Sequence, residues 1–318
     1  MLKAADIAPL IDMKQAIALT EASLAEHARG NVKVHAPYHL LVEGGALRVV
    51  SAANNDSGRM GLRYGPAMNL SPPSGFRHHI CTLYATNGDL LAMMGYPFST
   101  LRTGATVAVA VKHMTPPGPK RIGLLGTGNN ALSLLHGVRH VREIKDVTIY
   151  SRDADRRRAF AAEAEKSLGL PVRPAAENRD AVSGMDIVLT ATNFRQPLFP
   201  VEWLDDGCHV NSMGPIGEVP EALFLTASHV VVSCIDHEIN YFQPTKPFPL
   251  VDLVNAGRMT WNEVDELGAV VAGAAKARRR AGGITVFHES AGGFGDIAFA
   301  SYAYEEAKKR GLGQEVSF

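Results

Sequence analysis

The sequence predicts an α/β chain: a doubly wound parallel sheet with a smaller α+β unit drawn from both chain ends. Three observations predict it. Ile122, Leu124 and Leu125 form the short apolar run that a strand buried on both faces needs, and Gly126-Thr127-Gly128-Asn129-Asn130-Ala131 follows it directly. Ala131 to Val141 then reads as a helix and Val147 to Tyr150 as a second strand, all within the about 30 residues of a βαβ unit. Beyond them, strand-like and helix-like segments alternate as far as Ile284 to Phe287, the pattern of a parallel sheet.

Taken in order, the chain opens with Asp12 as N-cap of a helix over Met13 to Arg29, with Gly30 just past its end. Val32 to Ala53 alternates as β structure, interrupted at Glu43-Gly44-Gly45 by a hairpin turn. Met60 to Tyr64 and Arg77 to Tyr84 are further strands on either side of a Pro/Ser/Gly segment at Ser71 to Gly75, and Asn87-Gly88 turns the chain into Leu90 to Met94. Leu101 to His113 is a helix, stopped by Pro116, Pro117, Gly118 and Pro119, which mark a domain boundary. After the glycine turn come a helix at Ala154 to Leu168, a short strand at Val172 and a short helix at Arg179 to Ser183. Strands follow at Asp186 to Thr190, Cys208 to Ser212 and His229 to Ser233. Val251 to Ala256 and Asn262 to Leu267 read as short helices, Gly292 to Gly295 as a loop, and roughly Ala298 to Arg310 as the last helix.

The G-x-G-x-x-A turn has a mechanism. Gly126 permits a tight turn, Gly128 lets the backbone approach a pyrophosphate, and the small Ala131 lets the helix lie close to its strand. Backbone N–H groups at the helix start then face the phosphates, which makes this a Rossmann-type dinucleotide site. Glycine turns also join strands to helices without any ligand; the βαβ context decides for the ligand. Cofactor choice falls at the end of the second strand. There Ser151 stands where NAD enzymes carry a carboxylate, with Arg152 beside it and Arg156 to Arg158 one turn later, so NADP(H) is expected over NAD(H). The alternative is a solvated helix start balanced by Asp153 and Asp155.

At 318 residues the chain exceeds one compact core, and two domains are expected. Hydrophobic content of 46%, charged content of 20% and zero formal net charge describe an ordinary globular protein with no nucleic-acid footprint and no basic membrane surface. Three scattered cysteines suggest neither a disulfide framework nor a zinc site, no histidine spacing suggests a metal, and a reducing cytoplasm follows. Met1 to Leu10 has no signal-peptide core, and no apolar run is long enough to span a bilayer.

Four blocks, LRTGAT at Leu101 to Thr106, LLGTGNNA, NSMG at Asn211 to Gly214 and ITVFHESAGGFGD at Ile284 to Asp296, resemble the ornithine cyclodeaminase and mu-crystallin family in the same order. The resemblance implies a homodimer with a substrate and dimerisation domain at 1–116 and 299–318 and a Rossmann domain at 117–298. It also implies hydride transfer between nicotinamide and the Cα of a small α-amino or α-imino acid. Arg102 is similar to the family arginine that orients the substrate carboxylate, a task suited to a bidentate guanidinium. Arg63, in GLRYG, aligns with the family's substrate-binding lysine; the alternative is a strand-edge arginine in solvent. Thr103, Gly126, Gly128, Asn129, Asn130, Ser151, Arg152, Arg156, Thr192, Asn193, Asn211, Met213 and Gly214 are the expected cofactor positions, each also acceptable to a turn for local reasons.

Two departures bear on the reaction. Cyclodeaminases carry an aspartate two residues after the N-S-x-G block, where this chain has Ile216, and isoleucine transfers no proton. Glu218 is the nearest substitute, set against a surface carboxylate beside Pro220. Pro37-Tyr38-His39 stands where the family commonly has arginine. His78 and His79 would fall on opposite faces of a strand. An NADP(H)-preferring imino-acid reductase or amino-acid dehydrogenase is therefore expected. The alternatives are an ammonia-eliminating cyclodeaminase, a non-catalytic NADPH-binding crystallin-like protein, or an opine-type or cyclic-imine reductase.

Overall fold

The structure is a computed structural model that describes residues 1–67, 79–213, 217–240, 248–276, 282–290 and 293–317. After a single helical turn, α1 (Ala4–Ile7), the long helix α2 (Met13–Ala28) starts where Asp12 Oδ1 accepts the Gln15 N–H at 2.7 Å and ends at Gly30, whose φ is +84°. Six strands follow: β1 (Val32–Val34), β2 (Tyr38–Val42), β3 (Gly45–Asn54), β4 (Arg59–Ala67), β5 (Ile80–Ala85) and β6 (Leu90–Gly95). They pair antiparallel in the order β1-β3-β4-β5-β6, with β2 sharing the β1 edge of β3. The first hairpin turns on Glu43-Gly44 alone, with Gly44 at φ +80°, because Gly45 already pairs with Val42. Ser71 to Gly75, Arg77 and His78 lie outside the described residues.

Helix α3 (Ser99–Met114) is buried without interruption from Arg102 to Val111. Ala105, Ala108 and Val109 join the core shared with α2 and the antiparallel sheet, while Val107 and Val111 join the core over the parallel sheet. One helix thus serves two layers. Its crossing with α4 (Ala131–Val141) is backbone on backbone: a Cβ on Gly104 would fall inside van der Waals contact of the Ser133 carbonyl, and one on Gly137 would strike the carbonyl of Gly104.

The second sheet comprises β7 (Lys120–Leu125), β8 (Ile144–Tyr150), β9 (Val172–Pro174), β10 (Ile187–Thr190), β11 (His209–Met213), β12 (His229–Val232), β13 (Val264–Glu266) and β14 (Thr285–Glu289). All its pairings are parallel, in the order β13-β12-β14-β11-β10-β7-β8-β9. Helices α5 (Ala154–Leu168), α6 (Glu221–Thr226), α7 (Ile235–Asn240), α8 (Pro249–Asn255), α9 (Leu267–Val271) and α10 (Phe294–Lys309) complete the chain. Residue alternation sends Val188, Val210 and Val286 into one core and Leu189 and Phe287 to the opposite face, so the sheet is covered on both sides. The strand order reverses at β7, between β8 and β10; that is the switch point at which such sheets form a crevice beyond their carboxyl ends. No described helix is long and apolar enough to cross a membrane.

Two expectations need correction. Asn262 to Leu267 is not a helix: a single turn at Trp261–Glu263 leads into β13, which pairs with β12 and buries Val264 in the core. Sheet pairing there overrides a locally helical composition. The glycine-rich loop ending at Gly295 is also shorter than expected, because α10 begins at Phe294 and places Gly295 in its first turn. Gly295 lies against the Arg102 side chain, where a Cβ would come within 2.8 Å of Cγ.

Candidate active site

At the switch point Gly126 follows β7 with φ +104°, and its N–H donates to the Tyr150 carbonyl at 2.8 Å. The Ala191 carbonyl, just past β10, limits both glycines: a Cβ would lie 2.5 Å from its oxygen at Gly126 and 2.9 Å at Gly128. The turn is thus seated against the neighbouring strand. Asn129 is exposed and Asn130 half-buried at the start of α4. At the end of β8, Ser151 Oγ donates to the Asp153 carbonyl at 3.3 Å, and Asp153 Oδ1 caps α5 through the Asp155 and Arg156 N–H groups, both at 3.0 Å. That carboxylate is committed to its helix. Arg156 Nη2 reaches back to the Thr127 carbonyl at 3.2 Å, and the Arg152 guanidinium lies 4.9 Å from the Phe194 ring centroid. Both exposed arginines therefore border the glycine turn and the loop after β10.

Glu218 is fully buried, not on the surface. Its carboxylate accepts from Thr190 Oγ1, from Thr192 Oγ1 at 2.7 Å, from the Met213 N–H at 2.9 Å and from Ser212 Oγ at 3.3 Å. Burial raises its pKa in spite of these donors. Both oxygens tie together the ends of β10 and β11. Thr192 Oγ1 in turn accepts the Phe194 N–H at 3.1 Å, while Asn193 is exposed beside it. Asn211 differs from its neighbours. It is fully buried on the sheet face it shares with Leu189 and Phe287, and among the described residues neither atom of its side-chain amide has a hydrogen-bond partner. An unpaired buried amide costs about 1–3 kcal/mol, so its place in an apolar sheet face fits a polar ligand group. Met213 is half-buried against the core of that face; Gly214 and Ile216 lie outside the described residues.

The other half of the site is a buried charge cluster. Arg63 on β4 and Arg102 on α3 are only 4% and 6% exposed. They converge on one carboxylate oxygen, Asp296 Oδ1, at 3.1 Å from Arg63 Nε and 3.4 Å from Arg102 Nε. Arg102 Nη1 also lies 3.7 Å from Glu289 Oε1 at the end of β14, and its Nη2 donates to Thr103 Oγ1 at 3.5 Å. Thr103 Oγ1 donates to the Ser99 carbonyl at 3.0 Å, which fixes it in the first turn of α3. Burial opposes the ionised form of Asp296, yet the two guanidinium groups hold its pKa down at about 2. Tyr96 is buried with its ring 5.5 Å from the Arg63 guanidinium; burial, then the Asp296 charge, pushes its hydroxyl pKa well up. His79 precedes β5, half-buried, with Nδ1 3.4 Å from Ser99 Oγ; burial and then Arg63 lower its pKa.

The two halves are tied through α3. Ser133 Oγ, in the first turn of α4, donates to the Thr100 carbonyl at 2.7 Å, two residues past the Gly126–Ala131 turn on one side and two before Arg102 on the other. Sequence reasoning named both arginines but missed Asp296, Glu289 and Tyr96. A usable signal existed: two arginines in a buried pocket of a neutral chain require counter-charges, and ITVFHESAGGFGD supplies two.

Comparison with known proteins places these features in context. The family model for the ornithine cyclodeaminase/mu-crystallin family matches residues 1–311. Delta(1)-pyrroline-2-carboxylate reductase of Bacillus cereus is 30% identical over 240 residues, 74% of this chain and 72% of the relative. Alanine dehydrogenase of Archaeoglobus fulgidus is 26% identical over 98% of this chain and 96% of its own length. Among solved structures, Thermococcus litoralis Delta(1)-pyrroline-2-carboxylate reductase, in complex with NADH and L-proline, superposes with a TM-score of 0.90 at 26% identity, covering 99% of this chain and 100% of that one.

Proposed function

The chain belongs to the ornithine cyclodeaminase/mu-crystallin family, and from that premise we propose that it is a nicotinamide-dependent oxidoreductase acting on the C–N bond of a small α-imino or α-amino acid. The observation that carries the reading is the convergence of Arg63 and Arg102, both buried, on a single carboxylate oxygen. A cluster that holds one carboxylate between two guanidinium groups has the chemistry to hold a second, and a bidentate pair fixes the plane of the acid and so of the trigonal carbon beside it. A bound nicotinamide supplies or accepts the hydride. The chain binds and orients: the Gly126–Gly128 turn offers its backbone to the pyrophosphate, and the unpaired Asn211 amide offers a donor and an acceptor on the sheet face next to α3. An imine nitrogen already protonated needs no acid from the protein, since hydride addition neutralises it. That agrees with Ile216 in place of an acid and with a Glu218 whose oxygens are engaged in holding β10 to β11. Glu218 is read as a positioning residue.

NADP(H) is the preferred cofactor in this reading, because Arg152 and Arg156 flank the turn and Asp153 is spent on its helix cap. Replacing both arginines by alanine is expected to lower kcat/KM for NADPH relative to NADH by at least about tenfold. The reductase assignment is tested by NADPH oxidation with a panel of cyclic and linear α-imino acids. Turnover should fall about 100-fold or more in Arg102→Ala with NADPH affinity nearly unchanged. Ammonia release without net cofactor change would identify a cyclodeaminase instead, and tight NADPH binding with no turnover on the whole panel a binding protein. A homodimer is also part of the proposal. Tyr38, Leu40, Leu41 and Val42 on the β2 edge are 49% to 63% exposed, an apolar strip that a second copy would cover. Leu41→Glu should halve the mass seen by light scattering.

A further inference from the structure

A second cluster of ligand-type side chains lies away from the arginine pocket, and its argument is independent of the reductase reading. His27 at the end of α2, Cys234 between β12 and α7, and Glu266 at the end of β13 bring one nitrogen, one sulfur and one oxygen within 4.8 Å of one another. They are far apart in the chain, so no sequence spacing marks them. We infer that this cluster is a binding site for a borderline-soft divalent transition metal of the zinc type, held by His27 Nε2, Cys234 Sγ and a Glu266 carboxylate oxygen.

Three features go beyond proximity. Each of the two polar ligands is aimed by its other end: His27 Nδ1 lies 2.9 Å from the Val32 carbonyl, to which it donates as N–H, so that Nε2 faces the cluster, where a metal ion would displace its proton. Glu266 Oε1 accepts the Ile235 N–H at 2.7 Å, turning Oε2 towards His27 Nε2 at 3.6 Å. A backbone partner on the far side of each ligand is the arrangement that fixes metal-binding histidines and carboxylates. Secondly, bond lengths of about 2.0–2.3 Å in a tetrahedral site put donor atoms about 3.3–3.8 Å apart, so the separations here need only small side-chain movements to close on an ion. The N, S, O donor set favours zinc over magnesium or calcium. Thirdly, access is one-sided. The Cys234 thiol is buried, whereas the His27 and Glu266 side chains are 18% and 27% exposed, which leaves the fourth coordination position towards solvent. Among the described residues this is the one such group: Cys81 is buried beside the arginine cluster, and Cys208 Sγ lies 3.7 Å from the His209 carbonyl.

The ion would pin α2 to the β12–β13 edge of the parallel sheet. The chain is already close there, since a Cβ on Gly268 would lie 2.6 Å from the Leu24 carbonyl. The His27 ring also meets Phe294 edge-on at 4.7 Å, and Phe294 opens the helix that carries Asp296, so the metal would brace the start of α10 as well.

The test uses the full chain, purified under reducing conditions and stripped with a chelator. Titration with cobalt(II) should produce a thiolate-to-cobalt charge-transfer band that saturates at one ion per chain and is bleached by zinc. Cys234→Ser should abolish the band, and Cys208→Ser should retain it. His27→Gln should weaken zinc binding, measured by competition with a chromophoric chelator, by about 10-fold or more. No band in the wild-type protein, or a band that survives Cys234→Ser, overturns the proposal. If Cys234→Ser does not fold by circular dichroism, His27→Gln decides: its ring is partly exposed, and an unchanged zinc affinity in that variant is equally fatal.

Discussion

Arg63 and Arg102 show what a single residue's sequence context conveys and what it hides. Resemblance to short family blocks singled out both, and the structure buries them together against Asp296, where a strand-edge arginine in solvent was the alternative for Arg63. Asp296 stayed hidden because nothing along the chain distinguishes a carboxylate in G-F-G-D from one on a helix surface; its meaning comes from lying under two guanidinium groups. Glu218 was visible as a carboxylate, but its complete burial is set by β10 and β11 coming together, which one strand's sequence does not contain. The internal counter-ion leads to a prediction. Asp296→Asn removes the carboxylate that Arg63 and Arg102 share and leaves Glu289, 3.7 Å from Arg102, as the remaining buried counter-charge, at a cost of about 3–5 kcal/mol in urea unfolding. Part of that loss should be restored by saturating a carboxylate ligand of the pocket, so the ligand-induced rise in Tm should be larger in the variant than in the wild type. An equal rise in both would mean that substrate and Asp296 do not share the arginines.

Elements with a strong period and a clear stop were legible: Asp12 and Gly30 bound α2, and Asn87-Gly88 turns β5 into β6. Val264–Glu266 was not, since three residues carry no period and their pairing with β12 is decided elsewhere in the chain. The small residue after Arg102-Thr103 was legible as a motif but not as a cause. Gly104 is small because α4 crosses there, and Gly137 answers it from the other helix. Gly104→Ala is therefore expected to cost about 1–3 kcal/mol by forcing the helices apart. It should also weaken NADPH binding, because α4 carries the glycine turn at its N-terminal end. Gly169, with open space around its Cβ direction, should lose stability on the same substitution through its φ of +64° alone and leave cofactor affinity unchanged.

At the scale of the whole molecule, fold class and the division into one antiparallel and one parallel sheet could be read from alternation, whereas the order of the parallel strands could not. Two histidines contribute opposing limbs to the pH response of the metal-free protein. Burial, then Arg48, holds His39 down at about 4, so the unfolded chain takes up that proton first, and stability is lost as pH falls from 6.5 through 4. His27 behaves oppositely: against its burial, Cys234 and Glu266 raise it to about 10, so its contribution is complete below 6.5 and disappears as pH rises through 10. Stability should peak between these limbs, near pH 6.5, as read from urea midpoints. His39→Phe should reduce the loss between pH 6.5 and 4 and leave the alkaline limb unchanged. The position of β14 has a further consequence for how the molecule comes into being. It is made last of the parallel strands yet lies between β11 and β12, so a nascent chain on the ribosome can assemble β7 to β11 but must leave the flank of β11 bare, and β12 and β13 unmoored, until Glu289 has emerged. During that interval the half-built sheet exposes an apolar edge to every other chain in the vicinity, so translation pauses or chaperone capture would bear on yield.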